Sequence, residues 1–173
     1  MKRKMKIFTV GHSTRSIEDF VKLLRVYGIQ QVIDIRTIPK SRHNPQFNQV
    51  VLRKALKNKR IAYRHMKGLG GLRHAHKDSI NTAWENASFR GFADYMQTDE
   101  FAKNIDKLIG YARKKRVVIM CAEAVPWRCH RSLIGDALLV RNIDVENIMS
   151  PTNARPHELT PWAKVKGKKV FYP

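Results

Sequence analysis

The chain has 173 residues, enough for one domain with a single core, and 43% of them are hydrophobic, which excludes wholesale disorder. Lys and Arg number 34 against 14 Asp and Glu, a formal net charge of +20, so the surface attracts polyanions, of which nucleic acid is the commonest in a cell. The longest apolar stretches are strand-length, such as VVIMCA at 117–122, far short of the ~20 residues of a membrane span, and two cysteines are too few for a disulfide framework.

The opening stretch MKRKMKIFTVGHS is basic, but His12 and Ser13 interrupt it before an apolar signal core can form. A cytoplasmic protein without a membrane partner is expected. MKIFTV (5–10) reads as a first strand ending at Gly11. A helix follows, with Ser16 and Asp19 as a capping-box-like start, Ile17, Phe20, Val21 and Leu24 on one face, and Gly28 as its stop signal. QQVIDIR (30–36) is a second strand, and the two prolines of TIPKSRHNPQF (37–47) argue against regular structure there. A helix over 48–60 is capped by Asn48, then IAYRHM (61–66) is a third strand and KGLGGLR a glycine turn.

Residues 74–88 show no period and read as a loop. Two helices follow, at 89–96 and at 99–115, the second capped by Thr98 with Phe101, Ile105, Leu108, Ile109 and Ala112 on its apolar face. RVVIMCA (116–122) is a buried strand, CHRSLIGDALLVRN (129–142) the last helix and IDVENIM (143–149) the last strand. We divide the chain into one α/β domain at 1–160 and a basic tail at 161–173, where Lys164, Lys166, Lys168 and Lys169 accompany Phe171 and Tyr172.

Alternating strands and helices predict an α/β fold: a mostly parallel, doubly wound, Rossmann-like sheet with helices on both faces. Ligands of such sheets bind beyond the strand carboxyl ends. There the sequence places GHSTR, DIRTIPKSR, KGLGGLR and CAEAVPWRCHR.

The same stretches carry a resemblance. VGHSTRSIEDFVKLL, VIDIRTIPKSRHNPQF, IAYRHMKGLGGLR, FRGFADYM and CAEAVPWRCHRSLIGDAL resemble, in order and spacing, the domain of unknown function 488 family. The resemblance runs to about PHELT at 156–160 and leaves the Lys-rich end outside. It implies an α/β fold and a polar site built from these blocks, and it implies no reaction.

Several chemistries fit the blocks. Ser13, Thr14 and Arg15 before the first helix, and Cys129, His130 and Arg131 at the start of the last, meet free helix N–H groups that favour anions, and His12 and Ser13 complete the pocket. Arg36 and Arg42 add fork-shaped donors for phosphate or carboxylate. Asp34 and Glu123 are either an acid/base pair or counter-ions ordering Arg36 and Arg131. Cys129, beside Arg128, His130 and Arg131, has the setting of a low-pKa thiol, with His130 as proton carrier. No phosphatase or rhodanese loop closes on it, because the sixth residue on from Cys129 is Gly135, and from Cys121 it is Trp127. Cys121 reads as a small buried hydrophobe.

Metal ligation by Cys121, Cys129 and His130 lacks a paired CxxC spacing, so no metal site is assigned and the cofactor is left unknown. Gly70 and Gly71 match no nucleotide fingerprint but can bring backbone N–H groups to a ligand. Trp127, in the polar loop, is the better base-stacking residue. These readings converge on a hydrolase or transferase acting on nucleic acid or a nucleotide. The alternatives are a nucleic-acid-binding module without catalysis, and a thiol- or metal-dependent enzyme on a small anionic metabolite.

Overall fold

Val117–Cys121, the strand β4, is buried at every residue. A strand with no exposed face needs helices on both sides of its sheet. β4 pairs in parallel with β1 (Lys6–Gly11) on one side and with β2 (Gln31–Asp34) on the other. β3 (Ala62–His65) extends the β2 side in parallel, and β5 (Asp144–Ser150) extends the β1 side. An antiparallel strand, β6 (Asn153–Pro156), closes the sheet, giving the order β3-β2-β4-β1-β5-β6. A computed structural model describes residues 4–173 in this way; the first three residues of the basic opening stretch lie outside the described residues.

The strand side chains alternate between two cores, as period-two geometry requires. Phe8, Val10, Val32, Val118 and Met120 pack with α1 (Ile17–Val26) and α2 (Gln49–Asn58). Ile7, Ile33, Val117, Ile119 and Cys121 pack with α3 (Ala87–Tyr95), α4 (Asp99–Lys114) and α5 (Arg131–Leu139). The expected α/β fold with helices on both faces is the observed one.

Local signals act mostly where the sequence puts them. Ser16 accepts from the Asp19 N–H at 3.1 Å and Thr98 from the Phe101 N–H at 3.2 Å, each capping a helix start. Gly28 ends α1 with φ +67°, a conformation side chains resist. Asn48 occupies the start of α2 without capping it. Its Oδ1 instead accepts the Ser41 N–H at 2.7 Å and folds the preceding loop back. That loop also holds a 3₁₀ turn, Pro45–Phe47, where proline fixes φ at the first helical position.

The strand at 144–150 is not the last. After β6 comes a hairpin of β7 (Lys164–Lys166) and β8 (Lys169–Phe171), turned at Gly167 with φ +62°. Strands of three or four residues rich in Pro and Lys leave no hydrophobic period to read.

This C-terminal segment covers α5. Eight of that helix's residues, Arg131 to Leu138, are buried, as befits a helix enclosed all round. Asp136 is among them and is fully satisfied: it accepts from His157 Nε2 at 2.9 Å, the Thr160 N–H at 3.1 Å and the Tyr172 hydroxyl at 2.7 Å. Burial, with the charge of Asp136 beside it, pushes the Tyr172 hydroxyl pKa far up. Asp136→Ala leaves the buried Tyr172 hydroxyl and two half-buried donors, on His157 and Thr160, without their acceptor. It is expected to lower unfolding stability by about 3 kcal/mol or more, read from the shift of the urea midpoint.

Candidate functional site

The strand ends bring the four polar stretches onto one rim. The N–H groups of His12 and Ser13 donate to the carbonyls of Cys121 and Ala122 at 2.9 and 3.0 Å, so the β1–α1 loop is stitched to the β4–α5 loop. A side chain at Gly11 would collide with the Glu123 carbonyl, so only glycine allows this approach. The Leu72 N–H donates to Thr37 Oγ1 at 3.0 Å and joins the glycine turn to the β2 loop.

Cys129 and His130 sit where these loops meet. His130 Nε2 lies 2.9 Å from the Leu69 carbonyl and 3.2 Å from that of Ile35. Both are acceptors, so Nε2 carries the proton, and the lone pair of the neutral ring is on Nδ1. Nδ1 faces Cys129 Sγ at 3.5 Å. The result is a thiol, a base and a group that orients the base. Phe92 meets the ring edge to face at 5.0 Å, and Gly71 lies against it, since a Cβ there would fall 2.7 Å from Nδ1.

The second sulfur is unexpectedly close: Cys121 Sγ lies 2.8 Å from Cys129 Sγ. Burial pushes the Cys121 thiol well up, with its partner's charge adding to the effect. The hydrogen bond from Cys121 holds the Cys129 thiol well below its usual range against the cost of burial, and His130 and Arg131 assist. The Arg131 N–H, at the start of α5, also donates to Cys129 Sγ at 3.4 Å.

Arg131 is 1% exposed and serves the frame. Its Nη2 donates to the Glu123 carbonyl at 2.8 Å and its Nη1 to Thr9 Oγ1 at 3.2 Å. Asp34 is likewise internal: it accepts from Arg36 Nε and Nη2 at 2.9 and 2.7 Å and from the Tyr63 hydroxyl at 2.5 Å. Arg36 keeps one buried nitrogen, Nη1, without a partner. His12 stacks on Phe47 at 4.2 Å, donates from Nδ1 to the Ser13 carbonyl, and is kept neutral by burial. Ser13 takes the left-handed turn at φ +52°.

Two cavities flank the 3₁₀ turn Pro126–Arg128. The smaller, about 280 Å³, is walled by Arg36, Gly71, Glu123, Arg128, Cys129 and His130, with Cys121 alongside. Asp34, His12, Ser13, Gly70 and Arg131 do not line this cavity, and neither does the exposed Arg42. Trp127 turns the other way, into a cavity of about 630 Å³ that it shares with Trp84, Trp162, Arg155 and His157. Apart from Trp127, the sequence gives no sign of this aromatic pocket. More than half of its lining, Arg155 to Trp162, comes from the segment after 150, where short irregular structure gives no pattern. Among the described residues, no group of three or more His, Cys, Asp and Glu side chains is placed to hold a metal ion, and no helix is long and apolar enough to cross a membrane.

A depressed thiol pKa fills the thiolate form at lower pH. Alkylation of Cys129 by iodoacetamide is therefore expected to reach its plateau at a pH below that of an ordinary thiol. Gly71→Ala, by displacing His130, is expected to move the midpoint upward, while Cys129→Ser removes the reactive species.

No curated protein and no solved structure matches the chain. One family model does, over residues 16–138, a span running from the cap of α1 through α5 and taking in both cysteines, His130 and the glycine turn. The chain belongs to the family described as Domain of unknown function DUF488.

Proposed function

We propose that the chain is a cysteine-dependent hydrolase or transferase acting on nucleic acid or a nucleotide-type, phosphate-bearing substrate. The observation that carries this reading is the Cys129–His130–Leu69 carbonyl arrangement at the wall of the smaller cavity. Cys129 is the nucleophile. His130 Nδ1 takes the thiol proton and returns it to the leaving group, held in that tautomer by its two carbonyl partners. Cys121 stabilises the thiolate from behind. Arg128 and Arg36 supply positive charge at the wall, and the exposed Glu123, the one carboxylate on it among the described residues, activates a water. Asp34 acts through Arg36, and Arg131 through the loop it holds. Gly70 and Gly71 let the turn come close to His130.

The substrate class rests on charge and on the neighbouring cavity. A formal charge of +20 favours a polyanion. Trp127 and Trp162, 57% and 46% exposed, offer faces for stacking bases beside Arg155. The same two tryptophans also favour a second reading, a binding module that grips nucleic acid without chemistry.

Fluorescence anisotropy with labelled single-stranded and duplex DNA and RNA is expected to give binding that weakens steeply with salt. The ligand that binds best then serves as substrate, with products read by mass spectrometry. Cys129→Ser is expected to bind normally and to lose turnover by at least about 10³-fold. A Cys129→Ser variant that matches the wild type in every assay leaves the binding module standing in its place.

A further inference from the structure

A nucleophilic thiol in water needs one neighbour to activate it, and His130 already serves Cys129. Cys121 adds a hydrogen bond to that task, but a hydroxyl could supply one as well, so activation alone does not call for a second thiol. Cys121 stands at the end of β4, Cys129 at the entry to α5, and the loop between them returns the chain so that the sulfurs meet at 2.8 Å. Both are free thiols and both face the same cavity of about 280 Å³, so a small solute that reaches one reaches the pair. A thiol placed only to pack would not need to share the cavity wall.

We infer that Cys121 and Cys129 form a dithiol redox pair, which a hydroperoxide closes to a disulfide at the wall of the smaller cavity and a thiol reductant reopens. The inference rests on the proposed function only in taking Cys129 as the nucleophile. In the first step the Cys129 thiolate attacks the outer peroxide oxygen. An S–O bond forms, the O–O bond breaks, and the sulfur loses two electrons to become a sulfenic acid. The alkoxide leaves and takes the proton that His130 received from Cys129.

In the second step Cys121 attacks the Cys129 sulfur. An S–S bond forms, the S–O bond breaks, and the hydroxide leaves as water with the Cys121 proton. The sum is two thiols and one hydroperoxide giving one disulfide, one alcohol and one water. The proton assignment fits the order of events: Cys129 is the more readily ionised thiol and is attacked first, while Cys121 holds its proton until a sulfenic acid is beside it. The disulfide removes the nucleophile reversibly and shields it from irreversible oxidation.

The test uses the reduced full chain and one to five equivalents of hydrogen peroxide. The expected result is an intact-mass loss of about 2 Da, with the thiol count falling from two to none and returning with dithiothreitol. Iodoacetamide reactivity should fall at least about 100-fold on oxidation, through loss of the thiolate. In Cys121→Ser the sulfenic acid has no partner, so dimedone should label Cys129 there and leave the wild type unlabelled.

The inference is overturned if the wild type keeps both thiols, if it gains oxygen on Cys129 as fast as Cys121→Ser, or if a non-reducing gel shows only disulfides between chains. Should Cys121→Ser fail to fold, the wild-type mass and thiol count decide alone. Those failures leave the alkylation profile of reduced Cys129 untouched. An ordinary alkylation profile alongside normal disulfide closure would instead sink the proposed catalytic role and spare the redox pair.

Discussion

A buried guanidinium without a carboxylate partner organises the rim of this sheet. Arg131 is 1% exposed, and among the described residues it makes no ion pair. Burying an uncompensated cation costs several kcal/mol, and here backbone carbonyls and a hydroxyl offset part of it. The hydroxyl of Thr9 passes the contact on to Asn147 Oδ1 at 2.5 Å, so one chain of polar groups links the β4–α5 loop to β1 and β5. The positive charge that remains favours an anion at Cys129, whose sulfur already receives the Arg131 N–H. One side chain therefore braces the frame and adds to the lowering of the Cys129 pKa that the Cys121 hydrogen bond leads.

The same economy divides the arginines by role. Arg36 and Arg131, read from the sequence as anion donors, are largely saturated inside the protein, one by Asp34 and one by carbonyls. Arg128, in the loop between β4 and α5, stands exposed on the cavity wall beside Arg36. The short turn that carries it also separates two chemically different spaces. One side presents sulfur, imidazole and glutamate, and the other presents indole rings, an arginine and a histidine.

Much of the fold was legible because its signals are local or periodic. Ser16 and Thr98 mark helix starts through their own side chains, and the all-apolar run of β4 can only be buried on both faces. The short strands after residue 150 were hidden, because their pairing partners, not their own residues, make them strands. At the site, residue types pointed to Cys129 and His130, but Cys121 read as packing. A spacing of eight residues across a loop fixes no distance between sulfurs. The counter-ion reading holds for Asp34 and Arg36, two residues apart on one strand end, and fails for Glu123, whose backbone carbonyl and not its carboxylate takes the Arg131 guanidinium. Asn48 shows the same limit, since a good capping residue found a better use in the loop before it.

The contacts that tune Cys129 and His130 are far apart along the chain. His130 reaches Leu69 across 61 residues and Ile35 across 95, and Arg131 reaches Thr9 across 122. Each such closure costs chain entropy before any contact repays it. The stretch CAEAVPWRCHRS therefore has no partial chemistry of its own: cut out as a peptide, it keeps both cysteines and the histidine but loses the carbonyls that fix the ring. The proposed reactive centre is a property of topology, and it comes into being only when the sheet closes around it.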